Sequence, residues 1–204
     1  RQPFYKGKAL FSHQNTVTVV ALPQITTSSG ALADSRVLTY KWKKNGSVQE
    51  SQSGYGKNTY TFISSIISRP LEVSVEVTSP NIQTVGFGSV NLFPREPELF
   101  FYEKKPLLGI QFEKAITGNY EMLSPEIMVV AYPYYFDANR IFGDLIYRWS
   151  INGKSLEDNE PTQVFRVPNG ASGTSNISLF VENPIQILQT IRNSFRLVFT
   201  QTVI

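Results

Sequence analysis

The chain of 204 residues contains no cysteine. This absence excludes a disulfide framework, a zinc site built on cysteine and a thiol nucleophile. Histidine is almost missing as well, because His13 is the only one. Metal sites built on several histidines are therefore excluded. A Ser–His–Asp arrangement would have to use His13, which is more simply a solvated loop residue. We expect no cofactor.

Charged residues and long apolar runs are also scarce. Charged residues make up 17% of the chain, whereas aromatic residues reach 13%, which together with frequent Thr, Ser, Val and Ile is typical of β-sheet proteins. No apolar run is long enough to span a bilayer, so we expect the chain not to be embedded in a membrane. It begins at Arg1 without an initiator methionine or signal peptide, and we interpret it as a processed protein or a segment of a longer one.

The chain contains the same sequence pattern twice. Residues 38–46 (LTYKWKKNG) return as residues 145–153 (LIYRWSING), and the only two tryptophans, Trp42 and Trp149, hold the same place in each copy. Three further pairs of segments keep the same order: 3–10 with 100–107, 19–23 with 129–133, and 71–80 with 175–184. A repeat of this length indicates a duplicated domain, with length differences in surface loops. The second copy carries roughly a dozen extra residues within 109–123.

Hydrophobic residues alternate with polar ones along most of both copies, as they do in half-buried strands. Clusters of Gly, Ser, Asn and Asp separate these stretches, and Asn-Gly turn dipeptides follow both tryptophan segments. The only helical pattern lies in residues 183–194, as a short crossover turn or loop before the last strand. The sequence thus predicts an all-β fold of two tandem antiparallel β-sandwiches, residues 1–95 and 96–204. A short stiff linker containing Pro94 and Pro97 joins them.

The tryptophan segments resemble the central strand of immunoglobulin-like domains. The shared form is aromatic-x-Trp-x-x-Asn-Gly, seen as YKWKKNG and YRWSING, and the later segments LEVSVEV and ISLFVEN resemble further strands of the same sandwich. The two tryptophan segments are also similar to those of PKD-like modules of bacterial surface proteins. The resemblance implies that Trp42 and Trp149 are core anchors. The chain lacks the disulfide of antibody-type domains, so its core must be held by apolar packing.

Basic and acidic residues are unevenly divided between the copies. Residues 1–97 hold ten Lys and Arg against five Asp and Glu, and residues 98–204 hold nine against eleven. The basic half has no arginine-rich run, and its lysines alternate with aromatics within predicted strands, so we expect no nucleic-acid partner. The imbalance would suit weak head-to-tail attraction between copies of the chain, although drift is the simpler interpretation.

Carboxylates offer the remaining route to catalysis or metal binding. Candidates for a carboxylate pair that hydrolyses glycosides are Asp137, Asp144, Glu157, Asp158 and Glu160. The same loops, residues 136–144 and 157–160, supply oxygen ligands of the type that calcium prefers, without the spacing of a known calcium loop. No glycine-rich phosphate loop follows a strand and opens a helix. We interpret these carboxylates as solvated loop residues and expect no enzyme and no metal site.

The segment YPYYF clusters aromatic residues that the first copy lacks. Tyr132, Tyr134 and Tyr135 are candidates for a contact patch that stacks on sugar rings or binds a protein. The simpler alternative is a strand whose alternate aromatics fill the core.

These observations favour a non-catalytic structural or adhesive module of a secreted or cell-surface assembly in a bacterium, such as a stalk, filament or appendage. The partners would be proteins or further copies of the chain, and a glycan partner stays open. Terminal β segments can add to a neighbour's open sheet edge, so Phe4, Tyr5, Phe199 and Val203 mark possible assembly segments. The alternative is a carbohydrate-binding accessory module of a secreted enzyme, which predicts exposed, coplanar aromatics.

Overall fold

The computed structural model describes residues 10–27, 29–67, 69–79, 82–137, 145–167 and 169–200, with only the backbone described at 82–84. The chain divides into two compact units. One is His13–Arg95, and the other is Glu96–Ile204 together with the described residues 10–12. We call them the first unit and the second unit and describe each by itself.

The first unit is built from seven strands among its described residues. Their bounds are β1 Thr16–Val20, β2 Thr39–Lys44, β3 Ser47–Val48, β4 Gly54–Tyr55, β5 Thr59–Ile63, β6 Leu71–Ser79 and β7 Ile82–Leu92. Short 3₁₀ turns lie at Ser35–Val37 and Glu50–Gln52. Strands β1 and β5 form a two-stranded sheet. The second sheet has the order β3-β2-β6-β7, and β4 pairs with β2.

The second unit has nine strands among its described residues. Their bounds are β8 Glu98–Lys105, β9 Gly109–Ile116, β10 Asn119–Glu121, β11 Glu126–Tyr134, β12 Ile146–Ile151, β13 Lys154–Ser155, β14 Thr162–Arg166, β15 Gly173–Glu182 and β16 Thr190–Phe199. One sheet has the order β14-β11-β8-β9 and the other β10-β16-β15-β12-β13. Among the described residues of this unit, every strand pair is antiparallel except β10 with β16, which is parallel.

The strand orders match those of immunoglobulin sandwiches. In that fold the strands A, B and E share one sheet and C, F and G share the other, with a buried tryptophan on strand C. In the second unit, β8, β11 and β14 share one sheet, while β12, β15 and β16 share the other. The first unit repeats the B–E pair as β1–β5 and the C–F–G set as β2, β6 and β7. The predicted all-β, immunoglobulin-like fold class is therefore confirmed.

A buried tryptophan lies at the centre of each core. Trp42 on β2 and Trp149 on β12 are each 1% exposed. Because an indole N–H removed from water needs an acceptor, each donates to a backbone carbonyl, from Trp42 to Lys57 and from Trp149 to Glu160, at 2.9 Å in both cases. Both acceptors lie just before a strand of the opposite sheet, β5 or β14. The same bond thus links the two sheets of each copy.

The Asn-Gly dipeptides form tight turns and also bind a neighbouring strand. Asn45 and Asn152 adopt positive φ angles of 48° and 50°, as a type I′ turn requires. The Oδ1 atom of Asn45 accepts the backbone N–H of Glu72 at 2.9 Å, and that of Asn152 accepts the N–H of Asn176 at 2.8 Å. The repeated asparagine therefore fixes the end of the tryptophan strand against its neighbour.

The extra residues of the second copy form strands. The sequence places this length difference in a surface loop, which is wrong: residues 109–116 form β9 at the edge beside β8, and residues 119–121 form β10 beside β16. The insertion thus extends both sheets of the second unit. Its alternation was too short and too interrupted by Gly118 to predict two strands.

Residues 183–194 contain no helix. Asn183 directly follows β15, and its Oδ1 atom accepts the backbone N–H groups of Ile185 and Gln186 at 3.0 and 3.1 Å. This side-chain acceptor offers the backbone a turn instead of a helix. Strand β16 then begins at Thr190. The crossover-turn alternative matches the structure, whereas the helical pattern was fortuitous.

We expect Trp149→Ala to lower the free energy of unfolding by about 3–5 kcal/mol, because it leaves a large cavity in the core. Trp149→Phe keeps a ring but leaves the Glu160 carbonyl without its donor, so we expect a loss of about 1–3 kcal/mol. Urea unfolding followed by circular dichroism measures both. Tyr55→Ala is the control, because Tyr55 is 63% exposed. Equal losses for Trp149→Ala and Tyr55→Ala would contradict the assigned core role.

Candidate functional site

Aromatic side chains cover the outer face of the β14-β11-β8-β9 sheet. Along β8 and β11 the residues alternate between the core and this face, so that Phe101 and Ala131 point inward and their neighbours point outward. We call the outward set the aromatic face. Its members are Phe100, Tyr102, Phe112, Tyr132 and Tyr134. Phe112 comes from the insertion strand β9.

The rings of the aromatic face meet edge to face. The Phe112 and Tyr132 ring centroids lie 5.0 Å apart at 78°, and those of Tyr102 and Tyr132 lie 6.0 Å apart at 79°. Such T-shaped pairs are the preferred packing of aromatic rings with one another. Tyr102 is only 1% exposed, and Tyr132 and Tyr134 are half-buried. The face is therefore a packed cluster with partly exposed rims, and its rings do not form one plane.

Tyr135 lies apart from the exposed rim. It is buried, with 8% of its surface exposed, and its φ of 67° is uncommon for a residue other than glycine. The strand β11 ends at Tyr134, so the alternation that places Tyr132 and Tyr134 outward does not continue to Tyr135. The sequence groups three tyrosines into a contact patch. In the structure only Tyr132 and Tyr134 of these three are partly exposed on the aromatic face.

A second apolar surface lies where the insertion begins and ends. Leu107 and Leu123 are almost fully exposed and Leu108 is 71% exposed around a depression of about 710 Å³. Tyr120 on β10 lines the same depression and donates its hydroxyl to Glu103 Oε2 on β8, at 2.9 Å. This bond joins the two sheets of the second unit. Partial burial, followed by the hydrogen bond to the Glu103 carboxylate, raises the pKa of Tyr120 to about 12.

The first unit carries an apolar groove of about 470 Å³ beside β1. We call it the open groove. Its walls are residues 19–25 on one side and the inward positions of β6 and β7 on the other, with Trp42 at its base. At its rims Val20, Leu22 and Phe87 are 51%, 84% and 78% exposed. Among the described residues, β1 pairs with β5 alone, so its other edge faces this groove. Sequence reasoning missed this groove, because its only sign in the sequence is a pair of glycines, Gly86 and Gly88, in β7.

The assembly residues and the carboxylates are scattered. Phe4, Tyr5, Val203 and Asp144 lie outside the described residues, whereas Phe199 ends β16 and packs partly against the core. His13 is a half-buried turn residue. The Asp137 backbone N–H donates to the buried Gln189 side chain at 2.9 Å, while Glu157, Asp158 and Glu160 are exposed. In the described ranges, no three His, Cys, Asp or Glu residues group closely enough to hold a metal ion.

Within the part of the chain that the structure describes, no helix has the length and apolarity needed to cross a membrane.

No protein-family model and no curated protein sequence matches the chain. Among solved structures, it is similar to fibronectin(III)-like modules of Clostridium thermocellum CbhA, at 10% identity over 95% of this chain and 90% of that one, with a TM-score of 0.33. It is also similar to three N-terminal domains of the bacteriophage RB49 highly immunogenic outer capsid protein, at 15% identity over 93% of this chain and 56% of that one, with a TM-score of 0.45. A third similar structure contains Sidekick-1 immunoglobulin domains 1–5, at 9% identity over 97% of this chain and 59% of that one, with a TM-score of 0.33. Each likeness concerns the fold alone.

We expect the second unit to lose stability between pH 10 and pH 12. An unfolded tyrosine ionises near pH 10, whereas the folded pKa of Tyr120 is about 12. The folded state therefore holds this proton more tightly, and its contribution is complete below pH 10 and lost as the pH rises through 12. With Tyr120→Phe, the urea concentration at the midpoint of unfolding should fall less steeply as the pH rises from 10 to 12. Tyr55→Phe is the matched control, since Tyr55 is exposed; the same slope in both variants would contradict the assignment.

Proposed function

We propose that the chain is a non-catalytic structural or adhesive module of a secreted or cell-surface bacterial assembly, such as a stalk, filament or appendage. The open groove is the observation that carries this proposal. It combines an apolar floor with an edge of β1 beside which the described residues place no strand, a combination that recognises extended polypeptide by main-chain hydrogen bonds and side-chain pockets. The partners in this role are proteins, including further copies of the chain.

The two immunoglobulin-like units support a mechanical role of this kind. Each has a core of apolar side chains between two sheets, and a hydrogen bond from its tryptophan links those two sheets. The first unit and the second unit would act as rigid domains. Pro94 and Pro97 lie between their last and first strands and would stiffen the linker. Contacts would then come from strand edges and exposed apolar surfaces.

Localisation tests this proposal directly. We expect antibodies against the chain, applied to intact source cells as gold conjugates for electron microscopy, to label surface structures in a regular pattern. Permeabilised cells serve as the control for antibody access. Labelling confined to the interior of permeabilised cells would overturn the proposal, whatever the chain binds in solution.

A carbohydrate-binding module is the alternative, and the aromatic face is the feature that favours it. Sugar rings stack on exposed flat aromatic surfaces, whereas Tyr132 and Tyr134 are half-buried and tilted by 34° to each other. We therefore expect no retention of the chain on insoluble cellulose, chitin or xylan in pull-down assays. Retention that Tyr134→Ala abolishes, and that the exposed Tyr55→Ala leaves intact, would replace the structural proposal with this alternative.

A further inference from the structure

The open groove of the first unit lies where the second unit holds a strand. In the second unit, residues 129–134 of β11 pair with residues 98–103 of β8. The repeat aligns residues 19–24 with this stretch, and these same residues line the open groove. The groove therefore corresponds to the position that β8, the first strand, occupies in the second unit. No strand among the described residues fills this position in the first unit.

The inner face of β7 explains why the groove is deep. Val77 pairs with Gly86 and Val75 pairs with Gly88. At the aligned positions of the second unit, Val181 pairs with Ile191 and Leu179 pairs with Asn193. The first unit thus has two glycines where the second has a branched apolar side chain and an amide. Glycine in a strand interior leaves space for a ligand or a second backbone to approach closely.

The second unit shows what a strand in this position contributes. Phe101 on β8 is fully buried, and its ring centroid lies 5.6 Å from that of Trp149 and 4.9 Å from that of Phe195. The Asn193 side chain donates to the Leu99 carbonyl at 2.6 Å, which fixes the strand from the opposite sheet. An occupant of the open groove would place its own aromatic residue against Trp42, and the smaller Gly88 would leave it more room.

The chain itself contains a segment with this pattern. Residues 3–10 align with residues 100–107, so that Phe4 takes the place of Phe101 and Tyr5 that of Tyr102. In the register of the second unit, Phe4 would lie opposite Ala21 and Tyr5 opposite Val20. Both partners line the groove.

The residues that follow this segment favour a donor from another copy. A hairpin within one chain, kept in the same register, would place Leu10 opposite Asn15 and so within the first unit. Residues 10–12 belong instead to the second unit, and Phe11 and Ser12 are buried. A hairpin in that register therefore does not match the unit to which residues 10–12 belong.

We propose that the open groove accepts residues 2–6 of a second copy of this chain as an added β-strand, with Phe4 as its buried anchor. This inference rests on the proposed role in an assembly and names the contact that builds it. Donor and acceptor are different surfaces, so each copy uses both: two copies that exchange segments form a closed pair, and copies that do not exchange them extend the assembly further.

Complementing variants test the strand exchange. Gly88→Val fills the groove: a Cβ atom at Gly88 meets Val75 at 3.8 Å, an ordinary contact, so the fold tolerates it. Asn91→Val is the matched control: Asn91 lies on the opposite face of β7, pairs with Glu72 and does not line the groove. Phe4→Asp removes the anchor of the donor. Each full-length variant is compared with the original chain by sedimentation velocity over a range of concentrations, with thermal unfolding as the check that each is folded.

We expect the original chain and Asn91→Val to associate as concentration rises, and Gly88→Val and Phe4→Asp to weaken association at least about tenfold. A mixture of Gly88→Val and Phe4→Asp should form a complex that stops at two chains, because the first keeps a donor and the second keeps a groove. A mixture that stays monomeric would overturn the inference, as would association that Gly88→Val leaves unchanged.

An original chain that stays monomeric at every concentration would equally overturn it. If Phe4→Asp then lowers the midpoint temperature of thermal unfolding, the strand is supplied within one chain. If the midpoint temperature does not change, the groove takes no strand from this protein. If Gly88→Val does not fold, Gly86→Val is a second substitution that fills the groove, because a Cβ atom at Gly86 meets only Ile25, at 3.9 Å. Surface labelling of cells is independent of these outcomes, so failure of the strand exchange is distinguishable from failure of the proposed function.

Discussion

Each sandwich depends on one buried indole that must find a hydrogen-bond acceptor. Burying a tryptophan removes a large apolar area from water, but it also removes the N–H group, which costs free energy unless a partner replaces water. In both copies the partner is a backbone carbonyl just before a strand of the opposite sheet. One side chain therefore supplies both the centre of the core and the spacing between the sheets, and the Asn-Gly turn that follows fixes the end of its strand.

The copies share this framework and differ at their edges. The second copy adds β9 and β10, and with them the outer aromatic face and the bond between Tyr120 and Glu103. The first copy has no counterpart of this insertion, and glycines replace larger side chains on the inner face of its last strand. Open strand edges usually carry charges or coverings that prevent unwanted pairing. The exposed Val20, Leu22 and Phe87 provide neither.

The sequence predicted the framework because its signals are local and repeated. Alternation along β2 and β12, the aligned tryptophans and the Asn-Gly turns each required only a few neighbouring residues. The aromatic cluster was visible as YPYYF, but its burial was not: Tyr135 turns inward because β11 ends one residue earlier. The open groove was beyond prediction. It exists because Gly86 and Gly88 lie across from β1, a relation that only the folded sheets create.

The parallel pairing of β10 with β16 has a mechanical side. Three residue pairs join these strands, Asn119 with Arg196, Tyr120 with Leu197 and Glu121 with Val198. A pull along the axis of β16 loads all three pairs at once in shear, whereas a pull across the strands would open them one after another. The insertion therefore braces the last strand of the second unit against tension that arrives along the chain from its carboxyl end.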